Sequence, residues 1–343
     1  MIDIGHVLLA DVGGTNVRFA LADPSEAQPL LGDSIRRYRV ADFATFTDAA
    51  LAYLGESGER PRRGVFAVAG PVGADEVCLT NHPWDIRPAR ARSELALEGA
   101  HFVNDFAAMS LCVVLLGDHD VHVIGGAGAT RVAASPKQTF AVLGPGTGLG
   151  VGALLLRDGR TLALETEGGH TAFAPRTDEE VEILRRLGAR FGRVSNERLL
   201  CGSGLANLHQ ALGEIHGTFE ESLTSEEITQ RADIGTDPTC VRAAEVFCEL
   251  LGAVAGDFVL ALGAWDGVYL SGGMIAPLLP WLERGGFRRR FEDKGRLGSN
   301  LARVPTLAIV HPYAGLLGAA AFAVEDSGRT LLQRSTTLTK VPT

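Results

Sequence analysis

The chain has 343 residues, of which 46% are hydrophobic and 21% charged, and its formal net charge is -9. That length allows two domains of ordinary size with a substantial core. The acidic balance, with no basic run longer than RRR at 288–290 and acids at Glu292 and Asp293 just behind it, excludes nucleic-acid binding by charge, although backbone donors could still hold a small anion.

At the N-terminus, HVLLAD reads as a strand and not as a secretory leader, because its apolar stretch is short, lacks a basic flank and runs into a glycine turn. VRFALAD, IRRYRV, GVFAVAG and HFVND follow as further strands, with FTDAALAYLGES as an intervening helix. TFAVLGPGTGLGVGALLLR then restarts the pattern of strand, glycine turn and strand, and GVYLSGG and TLAIV come later between helical segments. This repetition predicts an α/β protein of two lobes with a cleft between them. Thr177-x-x-Glu180, Thr224-x-x-Glu227 and Asp237-Pro238 mark helix starts. The last opens a long apolar helix that carries Arg242, Glu245, Glu249 and Asp257, which fits a buried core helix better than a membrane span. No Pro- or Ser-rich linker divides the chain, so the boundary is expected within packed structure. It is placed near Leu111 with a return near His311, giving a small lobe of 1–111 plus 311–343 and a large lobe of 112–310.

The five cysteines, Cys78, Cys112, Cys201, Cys240 and Cys248, are scattered, with no CxxC pair and no His at zinc-ligand spacing. This pattern reads as reduced thiols of a cytoplasmic protein, with no disulfide framework or zinc site.

Three glycine turns carry chemical interest. In LLADVGGTNVRFAL, Asp11 ends an apolar strand and Gly13, Gly14, Thr15 and Asn16 form a tight turn. Such a turn can aim N–H groups and a hydroxyl at a phosphate, with Asp11 holding Mg²⁺ through water. A plain β-hairpin is the alternative for this stretch alone. LGPGTGLGVG repeats the device with Gly144, Gly146, Thr147, Gly148 and Gly150, and Gly272 and Gly273 in SGGM offer a surface against which an adenine or ribose could lie. No GxxxxGK[ST] loop appears and no GxGxxG opens a helix after the first strand, which excludes Walker-type NTPases and Rossmann dehydrogenases.

In HFVNDFAAMS, Asp105 stands where an apolar strand gives way to an apolar helix. Read alone, it is either a helix cap or a chemical group.

The motifs DVGGTN (11–16), AGPV (69–72), TNHPW (80–84), VNDF (103–106), GPGTGLG (144–150), EGGH (167–170), ERLLCGSG (197–204) and SGGM (271–274) stand in the order found in bacterial glucokinases. The chain resembles that family, within the hexokinase and actin superfamily, over nearly its whole length. The resemblance implies two ribonuclease H-like (actin-like ATPase) lobes with a central cleft, mixed sheets flanked by helices, and a cytoplasmic homodimer. It implies ATP- and Mg²⁺-dependent phosphorylation of D-glucose at the 6-hydroxyl, with Asp105 as general base and Asn104 hydrogen-bonding the sugar. Glu167, His170 and Glu197 would line the sugar pocket, and Gly13, Gly14, Thr15, Asn16, Gly146, Thr147, Gly148, Gly272 and Gly273 the ATP site. ROK kinases carry a cysteine-rich zinc motif after EGGH. Here TAFAPRTDEE follows and the next cysteine is Cys201, so the resemblance is to the zinc-free branch. Asn81, His82 and Trp84 remain open between sugar contact and packing.

Other readings are a kinase for another hexose or an amino sugar, a sugar sensor or repressor of the same fold, and a chaperone-like ATPase. A repressor would need a DNA-binding module, for which there is no room before the first strand. A chaperone-like ATPase would have no use for Asn104, Asp105, Glu167 and His170 together.

Overall fold

The computed structural model describes residues 5–70, 72, 73, 77, 84–126, 132, 134–218 and 221–331. The first half runs β1 (Val7–Val12), β2 (Asn16–Ala22), β3 (Leu30–Arg39), α1 (Phe46–Ser57), β4 (Arg63–Val68), α2 (Pro88–Glu94), β5 (Gly99–Asn104) and α3 (Asp105–Cys112). The second begins with strands β6 (Val121–Gly125), β7 (Lys137–Pro145), β8 (Leu149–Arg157) and β9 (Arg160–Thr166). Helices α4 (Asp178–Phe191), α5 (Gly202–His216), α6 (Ser225–Ile234) and α7 (Pro238–Leu262) follow. After them come β10 (Gly267–Leu270), α8 (Ile275–Leu282), α9 (Gly286–Glu292), α10 (Gly298–Leu301), β11 (Thr306–Ile309) and α11 (Ala314–Asp326).

The first sheet has the order β3-β2-β1-β4-β5 and the second β6-β11-β10-β7-β8-β9. Read from the other side, the second is β9-β8-β7-β10-β11 with β6 added at its edge. In both, an antiparallel three-strand meander is continued by two parallel strands. The repeated order of elements is therefore a repeated topology. Central strands such as β1 and β10 are buried on both faces, so they read as continuous apolar runs, whereas β9 alternates between exposed and half-buried positions as an edge strand.

The predicted helix starts form as their residues dictate. Thr177 accepts from the Glu180 N–H, and Thr224 and Glu227 make a reciprocal capping box. Asp237 accepts from the N–H groups of Thr239 and Cys240, with Pro238 at the first helical position of α7. That helix lies at the centre of the large apolar cluster, where Phe247, Leu251, Phe287 and Phe291 are fully buried. Each such side chain contributes about 1.5–3 kcal/mol through burial. Among the described residues no helix is long and apolar enough to cross a membrane.

Two helices join the halves. α3 leaves the first sheet and packs on β7, β8 and β9 of the second, while α11 leaves the second sheet and packs on β1, β2 and β4 of the first. They cross where Gly318 meets Ala108: a Cβ at 318 would lie 1.8 Å from the Ala108 carbonyl oxygen, so only glycine allows the contact.

Candidate active site

The carboxyl ends of β1, β4 and β5 lie level, since Val12 pairs with Val68 and Val68 with Asn104. This edge of a parallel set is where an α/β fold opens a crevice. It carries Asp11, the turn Gly13–Asn16 and the pair Asn104–Asp105.

The cap of α3 is Asn104, and Asp105 is the first helical residue. Asn104 Oδ1 accepts from the Phe106 and Ala107 N–H groups at 2.9 and 3.2 Å, and its Nδ2 donates to the Gly70 carbonyl at 3.2 Å. Among the described residues, one amide proton of Asn104 is thus left over for a ligand. Asp105 Oδ1 accepts from the Phe106 N–H at 3.0 Å, and among the described residues no basic side chain pairs with it. Burial pushes the Asp105 carboxyl up to about 6; the Phe106 N–H opposes that rise, and the charges of Asp11 and Glu167 add to it.

Asp11 is held from two sides. Arg18, its antiparallel partner on β2, donates Nη1 to Oδ2 at 3.0 Å. On the other side a Cβ at Gly315 of α11 would stand 2.9 Å from the Asp11 carboxylate. Burial raises the Asp11 carboxyl above its ordinary range, against the lowering effect of Arg18. Sequence reasoning missed Arg18; the signal was a cation facing Asp11 across the first hairpin.

The two glycine turns have different internal uses. In the first, Gly13 N–H donates to the Asn16 carbonyl at 3.0 Å, and Asn16 Oδ1 accepts from Arg37 at 3.0 Å. In the second, Gly146 N–H donates to the Gly148 carbonyl at 2.8 Å. The N–H groups of Gly14, Thr15, Thr147 and Gly148 have no protein partner among the described residues, as a phosphate cradle requires. Gly144, Gly150 and Gly152 serve packing instead, for Cβ atoms there would run into Phe106 and Ser110 of α3. That accounts for a glycine density greater than the turn itself needs. Gly272, at φ +93°, folds against the Pro145 carbonyl, and Gly273 beside it is open.

The segment after β9 is zipped to the stretch before α5. Asn196 N–H donates to the Thr171 carbonyl at 2.9 Å, and Asn196 Nδ2 to Thr171 Oγ1 at 2.9 Å. This brings His170 Nε2 within 3.8 Å of Glu167 and 4.0 Å of Glu197. Glu197 Oε2 accepts from the Leu149 N–H at 2.9 Å and fills the space beside Gly148. The predicted pocket residues Glu167, His170 and Glu197 thus converge next to the second glycine turn. Of the residues left open, Asn81 and His82 lie outside the described residues. Trp84 is buried and donates Nε1 to the Phe43 carbonyl at 3.1 Å, which is a packing role.

The donor set suits Mg²⁺: Asp11 is a hard oxygen donor, its charge adds to the cost of ionising Asp105, and Arg18 is the one guanidinium paired with it among the described residues. Doubled sheets, crossing helices and carboxylates gathered beside glycine turns define a phosphotransferase of the actin-like ATPase fold. The glucokinase family model matches residues 8–326. The glucokinase of Stenotrophomonas maltophilia (strain K279a) is 52% identical over 319 residues, 93% of this chain and 95% of that one. That of Xanthomonas campestris pv. campestris (strain B100) is 50% identical over 325 residues, 95% and 96% of the two chains. Among solved structures, glucokinase from an Antarctic psychrotroph superimposes with a TM-score of 0.84 at 30% identity, covering 95% of this chain and all (100%) of the other. A ROK family glucokinase from Streptomyces griseus shares the fold, with a TM-score of 0.62 at 18% identity over 93% of this chain and 99% of its own. The chain belongs to the glucokinase family.

Proposed function

We propose that this chain transfers the γ-phosphoryl group of ATP to the 6-hydroxyl of D-glucose, with Asp105 as general base. The observation that carries the reading is Asp105 itself: a carboxylate with no basic partner among the described residues, pushed up to about 6, at the junction of β5 and α3 and near enough to Asp11 and Glu167 to feel their charge. A base with that poise is ionised at neutral pH and still takes a proton effectively. As the sugar oxygen bonds to phosphorus, the bond from phosphorus to the bridging β,γ-oxygen breaks. The hydroxyl proton passes to Asp105 and then to solvent.

Glu167, His170 and Glu197 would orient the other hydroxyls, with the spare amide proton of Asn104. A cleft bearing Asp11, Asp105, Glu167 and Glu197 repels sugar acids and suits a neutral hexose. The free N–H groups of the two turns, with Gly272 and Gly273, would receive the nucleotide. Mg²⁺, held through water by Asp11, would neutralise phosphate charge. The lobes are taken as 1–111 with 311–343 and as 112–310, closing on the sugar to exclude water, and the enzyme as a cytoplasmic homodimer.

The test is ADP release with ATP, Mg²⁺ and a panel of hexoses and amino sugars, with the product's phosphate position read by NMR. Glucose-dependent turnover giving the 6-phosphate is expected. Absence of sugar-dependent turnover, or preference for another sugar, overturns the assignment.

A further inference from the structure

A second cluster of metal-ligating side chains lies in the helical layer of the large lobe, built from residues far apart in sequence. His209 on α5 is 6% exposed, and its Nδ1 is buried with no hydrogen-bond partner. Asp237 caps α7, its Oδ1 accepting from the Thr239 and Cys240 N–H groups at 2.9 and 3.1 Å. Cys240, in the first turn of α7, is wholly buried and carries a free thiol. One ligand atom from each residue, an imidazole nitrogen, a carboxylate oxygen and Sγ, lies within 4.8 Å of the other two.

We propose that His209, Asp237 and Cys240 form a binding site for a divalent d-block cation of the zinc type, which staples α5 to the start of α7. The chemistry of the donors selects the ion. Nitrogen and sulfur ligands favour zinc-like cations, whereas the Mg²⁺ of phosphoryl transfer takes oxygen. Around a tetrahedral zinc such donors sit roughly 3–4 Å apart, so a small inward adjustment closes the set, with water as fourth ligand. The buried Nδ1 of His209 has no hydrogen-bond partner, and ligation through that nitrogen removes the cost of leaving it so.

Binding forms three metal–ligand bonds and releases the thiol proton of Cys240 to solvent. The basic group that meets Asp237 among the described residues is Arg231, whose Nη1 is 4.0 Å from Asp237 Oδ2 and whose Nη2 is bound to Glu221 at 2.8 Å, which offsets it. The expected absence of zinc rested on the missing cysteine-rich motif after EGGH and on sequence spacing. Neither registers a ligand set assembled from α5 and α7. The staple also bears on the site already described, because the Gly202 N–H at the start of α5 donates to the Gly146 carbonyl of the second glycine turn at 2.9 Å.

The test uses the full chain stripped with chelator and titrated with Co²⁺, then with Zn²⁺. One equivalent of Co²⁺ is expected to give tetrahedral d–d absorption and a thiolate-to-cobalt charge-transfer band, both abolished by stoichiometric Zn²⁺, and Zn²⁺ is expected to raise Tm. Cys240→Ser should lose the charge-transfer band, and His209→Gln should bind about 100-fold more weakly or worse. Circular dichroism establishes that the variants are folded, and the wild-type titration stands without them. No charge-transfer band in the wild type, or an undiminished band in Cys240→Ser, overturns the proposal.

Discussion

The Phe106 ring occupies the space that a side chain at Gly150 would need: a Cβ there would lie 1.9 Å from the ring, and one at Gly144, its strand partner, 2.2 Å. The helix that begins with Asp105 is thereby seated on the β7–β8 hairpin at the end closed by the second glycine turn. Gly150→Ala is expected to destabilise the fold by about 1–3 kcal/mol through overpacking, and to lower kcat because Asp105 moves with Phe106. Gly188→Ala, in α4 with nothing within 4 Å of its Cβ, is the control. There the change should stabilise by about 0.5–1 kcal/mol. Denaturant unfolding of both variants, with kcat, checks the pair.

Asp105 makes stability and activity move in opposite directions with pH. Its carboxyl is raised from 3.8 to about 6, so the folded state binds the proton more tightly than the unfolded chain does. That contribution is fully present below pH 3.8 and is lost as pH rises through 6. In the ligand-free protein, Asp105→Asn should therefore raise stability relative to wild type above pH 6, by about 1–3 kcal/mol. The difference should shrink toward pH 4. Wild-type kcat should fall with one-proton dependence as the base is protonated. Unfolding free energies across that range for the two proteins are the check.

Arg18 is the one cation paired with Asp11 among the described residues. Arg18→Met leaves a mostly buried carboxylate without its donor. It is expected to lower kcat/KM for ATP by about 10-fold or more, the worth of a charge-assisted hydrogen bond, with Arg18→Lys restoring part of the loss. Equal values for wild type and Arg18→Met would remove Arg18 from the account.

Glu197 has two jobs that substitution separates. Glu197→Gln keeps an acceptor for the Leu149 N–H and loses the charge beside His170, so KM for the sugar should rise while stability holds. Glu197→Ala also orphans that N–H and should cost about 1–2 kcal/mol of stability. Steady-state kinetics and thermal unfolding distinguish the two effects.

Much of this was legible in the chain because local rules carry it. The caps Thr177, Thr224 and Asp237, the apolar central strands and the glycine turns each announce an element without help from the rest of the fold. What was not legible depends on approach between distant segments. β6 and β9 are edge strands without a buried apolar run, so their patterns are weak. The allocation of the cap to Asn104, leaving the carboxylate of Asp105 without a basic partner among the described residues, depends on the Gly70 carbonyl that fixes the amide. The seating of Gly315 against Asp11 and the convergence of His209 with Cys240 arise only once the helices are packed.

The central claim is that Asp105 takes the proton from the attacking hydroxyl, and the most direct measurement is kcat with saturating ATP, Mg²⁺ and glucose for wild type and Asp105→Asn. The account predicts a loss of about 10²-fold or more, with glucose affinity changed far less. A variant that retains wild-type kcat would contradict it.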